Sequence, residues 1–194
     1  MDLRKRRSQD KLQVALAYHL QNKTIDEITI GELTATAGVS RQTFYSNFDS
    51  KQSILLTRIE RLFEKTWNKA ESHLKSNDKS REEFVEFSVK TLLEECDKER
   101  NLMRAAFTGQ AGIQCLSLLK VLVSQMIAER IMFQFSHNLD RFQLDAISNF
   151  YAGGIIGTVQ AWLVSDNEDR DMDRVAKQIG RLMPHGIDGY VMKS

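Results

Sequence analysis

From Ser40 to Asn47 the chain reads Ser-Arg-Gln-Thr-Phe-Tyr-Ser-Asn. Arg41, Gln42, Thr43, Tyr45, Ser46 and Asn47 all carry hydrogen-bonding groups, and none is acidic. The chemistry such a run supports is recognition of polar edges beside a polyanion. Arg and Gln form bidentate pairs with guanine and adenine, and a segment without negative charge can approach phosphates without repulsion. No comparable set points to catalysis. His19, His73, His137 and His185 show no ligand spacing with one another or with Cys96 and Cys115, and CxxC, HxxxH and HExxH do not occur. There is no nucleophile elbow and no phosphate-cradling glycine loop. The chain is therefore read as a non-enzyme with no metal and no cofactor. A metal or haem sensor built from distant side chains, or a small helical hydrolase drawing Asp, His and Ser from separate helices, would be the alternatives; no spacing supports either.

A short recognition segment must be held out from the body by something rigid. One proline (Pro184) and ten glycines in 194 residues leave little turn chemistry for strands, while apolar residues recur at spacings of three and four, so the fold is read as all-α. The first helix is expected from about residue 8 to Asn22, burying Leu12, Ala15, Leu16 and Leu20. Thr29 can cap a second helix over Ile30–Ala37, Gly38-Val39 turns the chain, and Ser40 can cap a third helix through Phe48. Leu33, Ala37, Val39 and Phe44 supply the small core between these two short helices, which together match a helix-turn-helix; a helical hairpin with a polar outer face is the bland alternative.

Further helices are expected over Lys51–Lys75, from a capping box at Ser80–Glu83, over Asn101–Phe107, and from about Ile113 to Phe135. Two more run from Asp140 to Val164 and from about Asp171, the last ended or kinked by Pro184. Gly109–Gly112 is expected to loosen the chain. Lys75–Ser80 and the acidic stretch Asp166–Asp171 are expected loops, the former the best candidate for a boundary.

The stretch Thr29 to Lys51 resembles the DNA-binding signature of the tetracycline-repressor (TetR) family. Ala37-Gly38-Val39-Ser40, Tyr45, Phe48 and Lys51 occupy the slots of that signature, with Thr34 where a small Ala is usual and Gly31 where a polar residue is usual. The resemblance implies a helix-turn-helix DNA-binding domain at 1–50 and a helical ligand-binding and dimerisation domain at 51–194. It also implies roles: Arg41, Gln42, Thr43 and Asn47 toward the groove, and Tyr45, Lys51 and Thr29 toward phosphates. Of these, Arg41 and Gln42 suit base readout best. Arg4–Arg7 would be either an arm tracking the minor groove or an idle tail.

Charge is distributed in the same sense. Residues 1–75 hold 13 Lys+Arg against 9 Asp+Glu, and residues 76–194 hold 14 against 17. A basic head and a mildly acidic body fit a polyanion partner for the head alone. A single helix-turn-helix makes few contacts, so two copies on a palindromic operator are expected. Gly153, Gly154 and Gly157 lie inside an expected helix, where each glycine costs about 1 kcal/mol relative to alanine. Close approach of another helix would explain them, either in a homodimer or in a tight crossing within the chain. By the resemblance, the last two helices of each subunit would form that interface.

The family also implies a pocket for an unknown small-molecule inducer. Candidate lining residues are Phe63, Trp67, Phe84, Phe87, Met103, Phe107, Met126, Phe133 and Trp162. Each also suits plain core packing. No fixed charge stands out inside these segments, which points to an apolar or cationic aromatic ligand. Cys96 and Cys115 read as reduced thiols of a cytoplasmic protein, and no apolar run is long enough for a membrane span. The expected function is a ligand-responsive DNA-binding regulator, a repressor by preference. The alternative is a coactivator of the same fold that has lost DNA binding and holds a partner protein.

Overall fold

The structure, a computed structural model, describes residues 3–76, 80–135, 139–165 and 170–191. Helices account for nearly all of them: α1 (Leu3–His19), α2 (Ile30–Ala37), α3 (Arg41–Tyr45), α4 (Lys51–Ser76), α5 (Arg81–Lys98), α6 (Arg100–Phe107), α7 (Gly109–Phe135), α8 (Arg141–Val164) and α9 (Met172–Val191). Among the described residues there is no strand.

The chain forms two compact units. The first comprises residues up to Arg61 with Glu99–Leu116, and the second Leu62–Lys98 with the chain from Ser117 onward. The head unit thus takes in the first half of α4, α6 and the opening turns of α7. Its core is built by Leu12, Leu16, Ile28, Leu33, Phe44, Ile54, Leu55 and Ile59, all with essentially no exposure. Two arginines of α4 fasten neighbouring helices to it. Arg61 donates to Gln9 Oε1, Asp10 Oδ1 and Gln13 Oε1 of α1 at 3.0–3.1 Å, and Arg58 grips the Glu99 carboxylate with both Nε and Nη2. Glu99, the residue before α6, makes no capping bond with its side chain.

In the second unit α5 packs against α9, with ion pairs Lys90–Asp173 and Arg181–Glu82 across them. The expected capping box at Ser80 is present, Glu83 N donating to Ser80 Oγ (3.2 Å) and Ser80 N to Glu83 Oε2 (2.9 Å). A second capping box, Asp140 with Gln143, opens α8.

Four expectations of detail are corrected. α1 starts at Leu3, so Arg4–Arg7 are exposed residues of a helix and neither an extended arm nor an unstructured tail. α3 ends at Tyr45; Ser46 still has αR geometry, but regular helix stops short of Phe48. Gly109–Gly112 belong to the first turn of α7 and do not loosen the chain. Pro184 lies inside α9, which continues to Val191. A mid-helix proline costs about 3 kcal/mol, and burial of Ala176, Ile179, Met183 and Ile187 along the same helix offsets it. The expected loops at 75–80 and 166–171 lie partly outside the described residues.

Candidate nucleic-acid interface and ligand cavity

The helix-turn-helix is assembled by local rules. Thr29 caps α2 in a reciprocal box: its Oγ1 accepts from Glu32 N, while its own N–H and hydroxyl donate to Glu32 Oε2 at 2.8 Å. Lys23 pairs with the same carboxylate, and Lys23 and Thr29 together hold Glu32 at a pKa of about 2. Gly38 closes α2 with φ 61° and ψ 43°, left-handed geometry that residues with a side chain rarely adopt. Gly38 N then donates to Ala35 O, and Val39 N to Thr34 O. Ser40 caps α3 by accepting from Thr43 N at 3.0 Å. Phe44, wholly buried, plugs α3 onto Leu33 and the rest of the head core.

With Phe44 pointing inward, the opposite face of α3 projects outward. Arg41 and Gln42 are exposed, and Tyr45 is 57% exposed, its ring edge-on to Phe44. Gly31 acquires a reason here: a Cβ on it would stand 3.3 Å from Arg41 Nη2. Its missing side chain leaves a slot in the first turn of α2 along which the guanidinium lies.

The other expected DNA-facing residues are engaged within the protein. Asn47 is half-buried and donates Nδ2–H to Thr43 O at 2.7 Å. The Thr43 hydroxyl meets Ser40 Oγ at 2.9 Å. The Thr29 hydroxyl proton already goes to Glu32. Lys51 Nζ donates to Asp26 O and Ile28 O, both at 2.8 Å, tying the start of α4 to the segment before α2. One N–H of its ammonium stays available after those two bonds.

The second unit contains a cavity of about 130 Å³ walled by α4, α5, α7, α8 and α9. Of the expected lining residues, Phe63, Trp67, Phe84 and Met126 come together there. Phe87 does not line it; it stacks on His73 at 3.7 Å. Met103 and Phe107 are buried in the head unit. Trp162 lines a separate depression with Thr158, Ala161 and Ser165, and its indole N–H is buried without a hydrogen-bond partner. The Phe133 side chain lies outside the described residues.

The expectation of a cavity without fixed charge is overturned, because Arg81 and Arg130 are both part of its lining. Arg130 Cζ sits 4.8 Å from the centre of the Phe84 ring, a cation–π position, and burial lowers its pKa. The wall hydroxyls are occupied: Thr66 Oγ1 donates to Leu62 O and Ser88 Oγ to Phe84 O. Sequence reading missed both arginines because each stands near a helix end, where a cation looks like an ordinary solvated residue.

Gly153, Gly154 and Gly157 are exposed on α8, and a Cβ at any of them would meet nothing within 4 Å. A tight crossing within the chain is therefore ruled out as their explanation. Phe142 and Phe150 on the same helix are 80% and 75% exposed. Cys96 and Cys115 are free and buried. No group of His, Cys, Asp and Glu able to hold a metal occurs among the described residues, and none of their single helices is long and apolar enough to cross a membrane.

A helical body joined to a helix-turn-helix head defines a transcriptional regulator. Residues 85–185 match the family model described as a transcriptional regulator C-terminal region, and the chain belongs to the TetR family of transcriptional regulators. No curated protein sequence matches it. Several solved structures share the fold. FadR of Thermus thermophilus, a TetR-family repressor in complex with lauroyl-CoA, superposes with TM-score 0.70 at 18% identity, covering 92% of this chain and 94% of that one. The dihydroxyacetone kinase operon activator DhaS gives 0.63 at 17%, covering 93% and 96%. AlkX, a TetR-family repressor from Dietzia sp. strain DQ12-45-1b implicated in n-alkane biodegradation, gives 0.58 at 18%, covering 94% and 97%.

Proposed function

We propose that the protein is a ligand-responsive repressor that binds a palindromic operator as a homodimer. The observation that carries this reading is the projecting face of α3: Arg41, Gln42 and Tyr45 stand exposed on a helix with no acidic residue, backed by buried Phe44. Such a helix enters a major groove with its first residues on base edges. Arg41 and Gln42 choose the sequence, Tyr45 grips the backbone, and Lys51 lends its remaining N–H to a phosphate. Thr29, Thr43 and Asn47 hold the recognition helix in shape and reach DNA only where their present bonds open.

The second copy docks on α8. Three exposed glycines beside exposed Phe142 and Phe150 form a flat apolar face suited to a helix of another subunit. The cavity of the second unit receives the inducer; the lauroyl-CoA in the Thermus thermophilus relative supports an occupant with an apolar chain. Release follows when the ligand favours a spacing of the two recognition helices that no longer matches the half-sites. The likeness to an operon activator supports the second reading, a coactivator that holds a protein partner.

A gel shift with the DNA upstream of its own gene, run over a range of salt, separates the two. Repressor-type binding weakens steeply with salt because phosphate contacts release counterions. Absence of binding to any fragment at low salt would favour the coactivator.

A further inference from the structure

We infer that the cavity of the second unit takes an amphiphile whose acyl or alkyl chain ends in an anionic head, and that Arg81 and Arg130 receive that head. The inference deepens the reading above, on which it rests for the regulatory meaning of the site but not for binding itself.

The walls are apolar: Phe63, Trp67, Val89, Ile127, Met183 and Ile187 offer a chain nothing but carbon to touch. The hydroxyls of Thr66 and Ser88 are committed to carbonyls of their own helices, so neither protrudes as a free donor. No Asp or Glu lines the cavity, and its only charged lining residues are Arg81 and Arg130. They come from distant parts of the chain, α5 and α7, yet stand close enough for the charge of Arg81 to act on Arg130. Glu71 acts on Arg130 in the opposite sense, one carboxylate against two guanidiniums. Like charges converging at the edge of an apolar chamber repel each other, and an anion between them turns that repulsion into two charge-assisted hydrogen bonds. A neutral ligand forgoes this, and a cation adds a third repelling charge. Planar guanidiniums also match the geometry of carboxylate and phosphate oxygens.

The test is calorimetric titration of the full-length protein, without DNA and below the aggregation concentration of each probe. The probes share a twelve-carbon chain: dodecanoate, dodecyl phosphate, dodecanoyl-coenzyme A, dodecan-1-ol and dodecyltrimethylammonium. At least one of the three anions should bind about tenfold or more tighter than the alcohol, the advantage expected of a charged hydrogen bond. Which of them binds tells a free carboxylate from a phosphate-bearing head. Arg81→Gln and Arg130→Gln should each remove most of that advantage while leaving dodecan-1-ol binding within about twofold, and Arg130→Lys should restore part of it. The inference is overturned if the alcohol or the ammonium probe binds as tightly as every anion, or if neutralising both arginines leaves the preference intact. Should Arg130→Gln fail to fold, the exposed Arg81 carries the same test. An anion that binds without releasing operator DNA would count against the regulatory reading alone.

Discussion

Lys51 Nζ donates to the carbonyl of Ile28 across 2.8 Å, so the residue expected on a DNA phosphate also closes the fold of the head. A second bond to Asp26 O makes it a clasp between the start of α4 and the segment leading into α2. Lys51→Ala leaves two carbonyls short of a charged donor and should lower the stability of the head by about 1–3 kcal/mol. Denaturant midpoints measure that loss. The slope of log affinity against log salt should fall by about one as well, if the third N–H reaches a phosphate. A variant with unchanged midpoint and unchanged slope leaves Lys51 neither role.

Arg41 and Gly31 act as a pair. Arg41→Ala should relax base preference at one symmetric pair of operator positions, by roughly 1–3 kcal/mol per contact, and leave the others selective. Gly31→Leu, which intrudes on the Arg41 slot, should blur the same positions while the head stays folded. Binding-site selection on both variants checks this. Uniformly weaker binding with an unchanged site would place Arg41 on the backbone instead.

Gly157 offers a clean test of the dimer. Nothing within 4 Å opposes a side chain there in the single subunit, so Gly157→Leu should keep or raise helix stability, by up to about 1 kcal/mol. Sedimentation should nevertheless show monomer or a loosened dimer. A full dimer would move the interface away from this stretch of α8.

Burial pushes the Cys115 thiol from 9.0 up to about 11. The folded protein therefore keeps its proton where the unfolded chain has lost it. Stability from this group is complete below pH 9 and declines as pH rises from 9 to 11. Cys115→Ala should flatten that part of the pH–stability curve after allowance for its lower baseline. At pH 8 a thiol reagent should label native Cys115 at the rate of unfolding, far below that of a free cysteine.

What the sequence determined by itself were the features set within one or two turns of chain. Thr29 and Ser40 with their caps, the left-handed turn at Gly38, the inward Phe44 and the capping box at Ser80 depend on neighbours three or four residues away, which the eye can check. The all-helical class followed from the same short-range periodicity, and resemblance over Thr29–Lys51 added which face of α3 to watch. Tertiary structure decided everything that joins distant residues. Lys51 finds its carbonyls 23 and 25 residues back, and Arg81 and Arg130 meet from α5 and α7. Pro184 stays inside α9 because the apolar stripe around it is buried, a gain no local rule contains. Aromatic residues of similar pattern were sorted by packing alone: Phe63, Trp67 and Phe84 to the cavity, Phe107 to the head, Phe87 onto His73. Hydrophobic burial has no direction of its own, so a helical stripe announces that it will be covered but never by what.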